Sequence, residues 1–263
     1  MLSPDERPLI VCRIENPPHM ASGVDEWMPK HFDDSLDADA VVSVASFRVL
    51  HNFDPVSGLP WLFNGHGNRF IVYVADSMDG LVEWVDGPFL RQAIDDGVDR
   101  ETAFPALDGE PFNANIYSAS RVIHPLGVDF SGPTSLFIER FDVGPEHEKE
   151  FTSWLEGPHA DAVGSVGGVL RVRTYRQNSD VPKRFPYDRY SGKGNRMLMA
   201  ELPADCDLVE FVKRPEVKSL LTDSLRWDLV LPYVRREVAN FHVLRNKEDA
   251  RSTYAQRRSE TAK

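Results

Sequence analysis

Cysteine is nearly missing from this chain: two occur in 263 residues, Cys12 and Cys206. That excludes a disulfide framework and a thiolate metal site. Cations are also short, with 30 lysines and arginines against 41 acids and a net charge of -11. A nucleic-acid surface needs a basic patch or stripe, and an anionic membrane surface attracts basic segments, so neither nucleic acid nor membrane is predicted as a partner. No apolar run approaches the roughly 20 residues that span a bilayer. Met1 to Pro8 is polar, with acids and no apolar stretch behind it. No signal peptide is read there, and a cytoplasmic, reducing location is expected. There is no GxSxG elbow, Walker loop or GxGxxG, and no His/Cys/Asp/Glu group with zinc spacing. No metal and no other cofactor is therefore expected.

What the chain does have is a repeat. Adding 127 to a number in the first half lands on its partner in the second: Leu9 on Leu136, Arg13 on Arg140, Pro18 on Pro145, Trp27 on Trp154. Gly67-Asn68-Arg69 falls on Gly194-Asn195-Arg196, and Leu81-Val82-Glu83 on Leu208-Val209-Glu210. A period this long means two copies of a small domain, not a solenoid. The expected units are residues 1–127 and 128–244, followed by a polar tail, 245–263. The cysteines are not an equivalent pair, since Cys12 falls on Glu139 and Cys206 on Asp79.

Each copy reads strand, helix, strand, strand, helix, strand. Leu9 to Ile14 is a short apolar run, and Gly23 to Leu36 has helical spacing. Val41 to Leu50 is rich in β-branched residues. Loop residues follow from Asp54 to Asn68, then a strand from Phe70 to Val74. A helix lies within Ser77 to Gly97, with Ser77 or Asp79 as its N-cap. After a second long loop, Asn115 to Ile123 is the last strand. The second copy gives strands at Ser135 to Phe141, Gly168 to Arg176, Met197 to Leu202 and Glu237 to Leu244. Its helices are Glu146 to Val163 and Asp207 to Leu221. The class is α+β. A βαββαβ unit forms a four-stranded antiparallel sheet with helices on one face. The other face is apolar and must be covered. Two such ferredoxin-like sheets packed face to face within one chain solve this for both copies.

The stretch Arg140-Phe141-Asp142-Val143-Gly144-Pro145, then Glu150-Phe151-Thr152-Ser153-Trp154-Leu155 with His159, then Val166-Gly167-Gly168-Val169-Leu170-Arg171 with Arg173 and Tyr175, resembles the dimeric α/β-barrel superfamily and, within it, the EthD-like branch. The resemblance covers most of residues 135–244 and, through the repeat, 8–123. It implies a hydrophobic cavity between sheet and helices with a histidine, tyrosine or arginine placed in it. Members include cofactor-free lactone isomerases, polyketide cyclases, quinol-forming monooxygenases and haem enzymes. The superfamily commonly pairs subunits, so a homodimer is compatible.

Trp27 and His31 are four apart in the first copy, and Trp154 and His159 five apart in the second, where Gly157-Pro158 intervenes. An aromatic and an imidazole one turn apart lie close on a helix, and imidazole exchanges protons near neutral pH. His159 and His31 are the candidate acid/base groups; the bland alternative is a histidine satisfied by backbone. Tyr175 and His242 are candidate second catalytic groups. Trp154, Trp27, Arg140 and Tyr117 are candidate substrate contacts. A tyrosine can serve a substrate oxygen or simply fill the core. Arg13 and Arg140 can hold a carboxylate or enolate, or form ion pairs with Glu83 and Glu210. The Gly-Asn-Arg strings read as turns. The Lys183 to Arg189 loop is a candidate lid.

The leading function is a cofactor-independent enzyme acting on a small oxygenated cyclic or aromatic metabolite by histidine-mediated proton transfer, of lyase, isomerase or cyclase type. The alternatives are a haem-binding barrel, a cofactor-free quinol-type monooxygenase, and a non-catalytic small-molecule-binding barrel. Against haem, Ser77-Met78-Asp79-Gly80 lacks the first glycine of the Gly-x-x-Asp-Gly motif found in the dye-decolourising branch. Unequal cavities in the two halves are expected, with His159 in the working one.

Overall fold

The computed structural model describes residues 5–15, 21–53, 60–62, 68–88, 112–125, 127, 132–178 and 193–247. The elements are β1 (Leu9–Glu15), α1 (Ala21–Leu36), β2 (Val41–Phe53), β3 (Pro60–Leu62), β4 (Asn68–Ala75), α2 (Met78–Asp86) and β5 (Phe112–Ile123). They continue with β6 (Thr134–Phe141), α3 (Glu148–Trp154), a π turn (Leu155–His159), α4 (Ala160–Gly164), β7 (Arg171–Gln177) and β8 (Arg196–Pro203). The chain ends in α5 (Leu208–Lys213), α6 (Pro215–Ser224), a 3-10 turn (Leu225–Trp227) and β9 (Val234–Asn246).

Eight strands close into an antiparallel barrel in the order β2-β4-β1-β5-β7-β8-β6-β9, with β9 pairing back onto β2 and β3 appended to β2 as a short hairpin partner. The first half supplies β2-β4-β1-β5 and the second β7-β8-β6-β9. The inner faces meet, as the patterning predicts: Leu9, Val11, Phe70 and Val72 share one apolar cluster with Leu136, Ile138, Met197 and Met199. Face-to-face packing alone is corrected by the two junctions, β5–β7 and β2–β9, where edges of different halves pair. An open sheet leaves a row of unpaired N–H and C=O groups at each edge, and closure removes them.

Strand alternation sends Ile10, Cys12 and Ile14 outward, where Val24, Trp27, Met28 and Phe32 of α1 and Leu81, Trp84 and Val85 of α2 cover them. A separate outer cluster joins Phe137, Phe141, Val172 and Leu198 to Phe151, Trp154, Phe211, Val217 and Leu221 of the second-half helices. Ser77 does cap α2, accepting from the Gly80 N–H at 3.1 Å. Asp207 caps α5, accepting from Val209 and Glu210. Among the described residues no helix is long and apolar enough to cross a membrane.

Several sequence expectations shift. The helix read from Glu146 to Val163 is broken into three pieces by Gly157-Pro158. The one from Asp207 to Leu221 is split at Arg214, because Pro215 starts a new helix. Gly168 is not in a strand: its φ of +93° makes the turn that precedes β7. Strand β9 starts at Val234 and reaches Asn246, two residues into the expected tail. The tail from residue 248 onward and the Lys183 to Arg189 loop lie outside the described residues.

The barrel interior carries charge at both ends. At one end Glu237, fully buried, accepts from Arg13 Nε at 2.9 Å and Arg140 Nη2 at 2.8 Å, with Arg235 Nε 2.8 Å away. Arg13 and Arg140 thus pair with Glu237, not with Glu83 and Glu210. Alternation points both arginines into the barrel, whereas Glu210 sits on an outer helix and pairs with Lys213. At the other end Glu201 receives Arg171 and Arg173. Arg171 also holds Asp5, which accepts from His124 Nε2 at 2.8 Å.

Burial alone would raise the Glu237 carboxyl, but Arg13, Arg140 and Arg235 outweigh it and bring it down to about 2. A carboxyl depressed below its ordinary 4.5 stabilises the fold above that pH and loses the contribution as pH falls toward 2. Removing one partner of a buried pair costs about 3–5 kcal/mol. Glu237→Gln is therefore expected to lose stability of that order near neutral pH, and to flatten the acid limb of a denaturant midpoint-against-pH curve. A variant matching the parent at neutral pH would contradict the cluster's role.

Candidate active site

Two Trp–His stacks sit between the helices and the outer face of the barrel, one in each half. In α1, Trp27 and His31 stack with ring centroids 4.3 Å apart and planes at 22°. In the second half Trp154 and His159 stack at 4.2 Å and 24°. The sequence separations differ by one residue, yet the geometry is the same. The π turn explains it: a five-residue turn absorbs one extra residue, and Gly157, at φ -102° and ψ -112°, leaves the helical path inside it. Both imidazoles are buried.

Their polar partners differ. His31 Nε2 lies 2.6 Å from the Tyr73 hydroxyl on β4. His159 Nε2 lies 2.5 Å from Glu139 Oε2 on β6. The other Glu139 oxygen accepts from Arg236 Nε at 3.1 Å. Arg236 in turn donates to Asp228 at 2.9 and 3.2 Å and to Ser224 Oγ at 2.9 Å. Burial would raise the Glu139 carboxyl, but His159 and then Arg236 and Ser224 hold it below the usual carboxylate range. An ionised carboxylate only accepts, so the proton on this hydrogen bond belongs to Nε2. A neutral His159 then keeps its lone pair on Nδ1. That atom is buried and has no hydrogen-bond partner among the described residues. Burial keeps the Tyr73 hydroxyl protonated well above its ordinary range, so Tyr73 gives His31 no ionised partner.

Two clefts flank the second-half helix. One, of about 580 Å³, is lined by Trp154, Pro158, Ala162, Leu220, Asp223 and Arg226. The other, of about 480 Å³, runs past Glu148, Thr152, Glu156, Gly157 and Arg176. His159 lines neither. Trp154 forms the wall of the larger cleft while its indole stacks on the His159 ring, so the imidazole is one side chain behind that wall. The indole N–H donates to Asp223 at 3.0 Å, and the Arg226 guanidinium lies 5.2 Å over the ring.

The sheet divides the other sequence-predicted residues from this site. Arg140, Tyr117 and Tyr175 point into the barrel interior, opposite to Glu139. Tyr117 donates to the Gly194 carbonyl at 2.5 Å and accepts from Asn115. Burial pushes both tyrosines up to about 12. The Tyr175 hydroxyl is buried with no hydrogen-bond partner among the described residues. His242 lies by the first-half helix, 3.7 Å from Asp25, and its pKa is lowered by burial and then by Arg48 and Arg69. The Gly-Asn-Arg string at 194–196 is architectural, as its composition predicts. Gly194, at φ +105°, and Asn195 donate backbone N–H groups to Asp142, and the Asn195 side chain brackets Val143. Gly67 lies outside the described residues.

Glu139, Arg236, Asp228 and Ser224 were not singled out from sequence. One signal was present: Glu139 is an acid that follows the apolar run Leu136 to Ile138, at the place that Cys12 holds in the first half. Among the described residues no group of three or more His, Cys, Asp or Glu is arranged to hold a metal.

Tyr73→Phe leaves His31 buried without this hydroxyl, and about 1–3 kcal/mol is expected to be lost. Glu139→Gln removes the buried charge between His159 and Arg236, and a loss of about 3–5 kcal/mol is expected. Denaturant titration of both variants checks the order; equal small losses would contradict a charged second-half pair.

No family model matches the sequence, and no curated protein matches it. Solved structures do. An anthrone oxidase-like protein superposes with a TM-score of 0.62 at 10% identity, over 93% of this chain and 94% of its own. A candidate monooxygenase of Fusobacterium nucleatum gives 0.56 at 12% identity, over 92% and 95%. One of Lactobacillus acidophilus gives 0.50 at 12%, over 92% and 97%. At such identities the likeness speaks for fold. The closed eight-stranded antiparallel barrel with its outer helices is consistent with the fold of a dimeric α/β-barrel.

Proposed function

We propose that the chain is a cofactor-independent enzyme that moves a proton on a small oxygenated aromatic or cyclic compound, with His159 as the base. The observation that carries this reading is the His159–Glu139 pair: a 2.5 Å hydrogen bond to a buried carboxylate at Nε2, with a buried Nδ1 that has no hydrogen-bond partner among the described residues. A polar atom buried without a partner costs about 1–3 kcal/mol unless something else satisfies it. A substrate hydroxyl or acidic C–H would do so, and the imidazolium formed would rest on Glu139. Arg236, with Asp228 behind it, keeps Glu139 ionised through the cycle. Trp154 stands between the larger cleft and His159, so entry from that side requires the indole to turn. On this reading the two halves are tandem ferredoxin-like copies of the EthD-like type. Their common strand order and the 127-residue register support that duplication. The second half is the working copy, because the first has a phenol where the second has a carboxylate.

Return of the proton to another atom gives isomerase, cyclase or lyase chemistry. A second reading is favoured by the fold match to an anthrone oxidase-like protein and to candidate monooxygenases. The same deprotonation makes an electron-rich carbanion or phenolate, which dioxygen oxidises; a CH₂ group and O₂ become C=O and water.

The test incubates the protein with a panel of anthrones, dihydroxyaromatics and hydroxylated lactones in D₂O, with and without air. Deuterium exchange is read by NMR and oxygen uptake with an electrode. Loss of a general base typically costs 10²–10⁴-fold, as an order of magnitude. His159→Gln is expected to lose activity on that scale, and His31→Gln to stay within about threefold. Equal activity of both variants with the parent would sink the assignment. Oxygen uptake in air would select the second reading; exchange with no oxygen uptake would select the first.

A further inference from the structure

The π turn that carries His159 is held by a residue from the other half of the chain. Arg121, on β5, donates through Nη1 to the Glu156 carbonyl and, at 3.2 Å, to the Gly157 carbonyl. Its Nη2 reaches Asp161 at 2.6 Å. Gly157 leaves the helical path here, and its carbonyl also accepts from the Ala160 N–H, so Arg121 braces the turn at the point where the regular helix is interrupted. Arg176 holds the Glu156 side chain with two bonds, 2.9 and 3.0 Å.

The first half shows what happens without the extra residue. Ile71 and Leu198 are matched by the 127-residue register, and they pair with Ser46 and Thr174 respectively. Across the two junctions Ser46 pairs with Val243, and Thr174 pairs with Arg121. Val243 therefore occupies, beside the uninterrupted α1, the place that Arg121 occupies beside the π turn. Val243 packs into the apolar cluster under α1. Where the helix keeps its regular turns the neighbouring half offers a methyl group pair; where the turn is widened it offers a guanidinium.

We infer that Arg121 is a positioning residue: by capping the Glu156 and Gly157 carbonyls it fixes the π turn, and through it the orientation in which His159 gives Nε2 to Glu139 and keeps Nδ1 free. The inference rests on the reading of His159 as the base. It also makes the second-half site incomplete without the first half. The arm to Asp161 is solvent-exposed, and such pairs are worth about 0–1 kcal/mol, so the carbonyl arms carry the effect.

The test is ¹⁵N NMR of the histidine side chains in the full chain, comparing the parent, Arg121→Met and Arg121→Lys, with His159→Gln to assign the resonance. In the parent, neutral His159 is expected as the Nε2–H tautomer. In Arg121→Met the ratio of the two tautomers should fall about tenfold, as loss of hydrogen bonds to a charged group implies, while the His31 resonance stays in place. Arg121→Lys keeps the charge and the Asp161 arm but not the fork, and should fall between the two. Unchanged His159 resonances in a folded Arg121→Met protein would overturn the inference. Should Arg121→Met not fold, unchanged resonances in Arg121→Lys would overturn it equally. The readout is the imidazole itself, so an inactive panel in the turnover test leaves this result standing. A His159-dependent activity with an unmoved tautomer would reject Arg121 alone.

Discussion

The constraint on which the structure depends is the closure of the sheet. Four strands from either half alone would expose two edges, and each unpaired backbone group that is buried costs free energy. The junctions β5–β7 and β2–β9 remove all such edges from the eight-strand ring. Closure also brings acids and bases of different halves into one interior. Arg13 comes from the first half, Arg140, Arg235 and Glu237 from the second, and their pairing is possible only inside a closed barrel.

Closure leaves the outer faces to the helices, and there the halves diverge. Both keep the same aromatic–imidazole stack at nearly the same distance. The group beneath differs: a tyrosine on β4 in the first half, a carboxylate on β6 in the second. A hydroxyl whose proton is held by burial offers the imidazole no negative charge. A carboxylate held ionised by Arg236 makes a polarised one, able to accept charge on the imidazole. Two positions set the chemical difference between the sites: Tyr73 against Ala200, and Cys12 against Glu139.

Much of this was legible in the sequence, for physical reasons that can be named. Period-two and period-3.6 patterning located the main strands and the helices around Trp27 and Trp154, and the repeat register tied the halves together. The Trp–His pairs were visible because a helix turn brings such residues together. The partners of His159 were not, because Glu139, Ser224, Asp228 and Arg236 meet only through strand pairing and helix packing. Arg140 and Tyr117 looked like site residues from their repeat position and chemistry. Strand alternation places them on the other side of the sheet, in the barrel interior. The π turn was foreshadowed by Gly157-Pro158 as an interruption, but spacing alone did not show that it would restore the stack.

The measurement that bears most directly on the central claim is a crystal structure with a hydroxyaromatic compound bound. The account predicts that the compound displaces the Trp154 indole from the cleft wall and brings a hydroxyl within hydrogen-bond reach of His159 Nδ1, with the Glu139 bond retained. A compound seated in the barrel interior beside Tyr175, with His159 still covered, would contradict it.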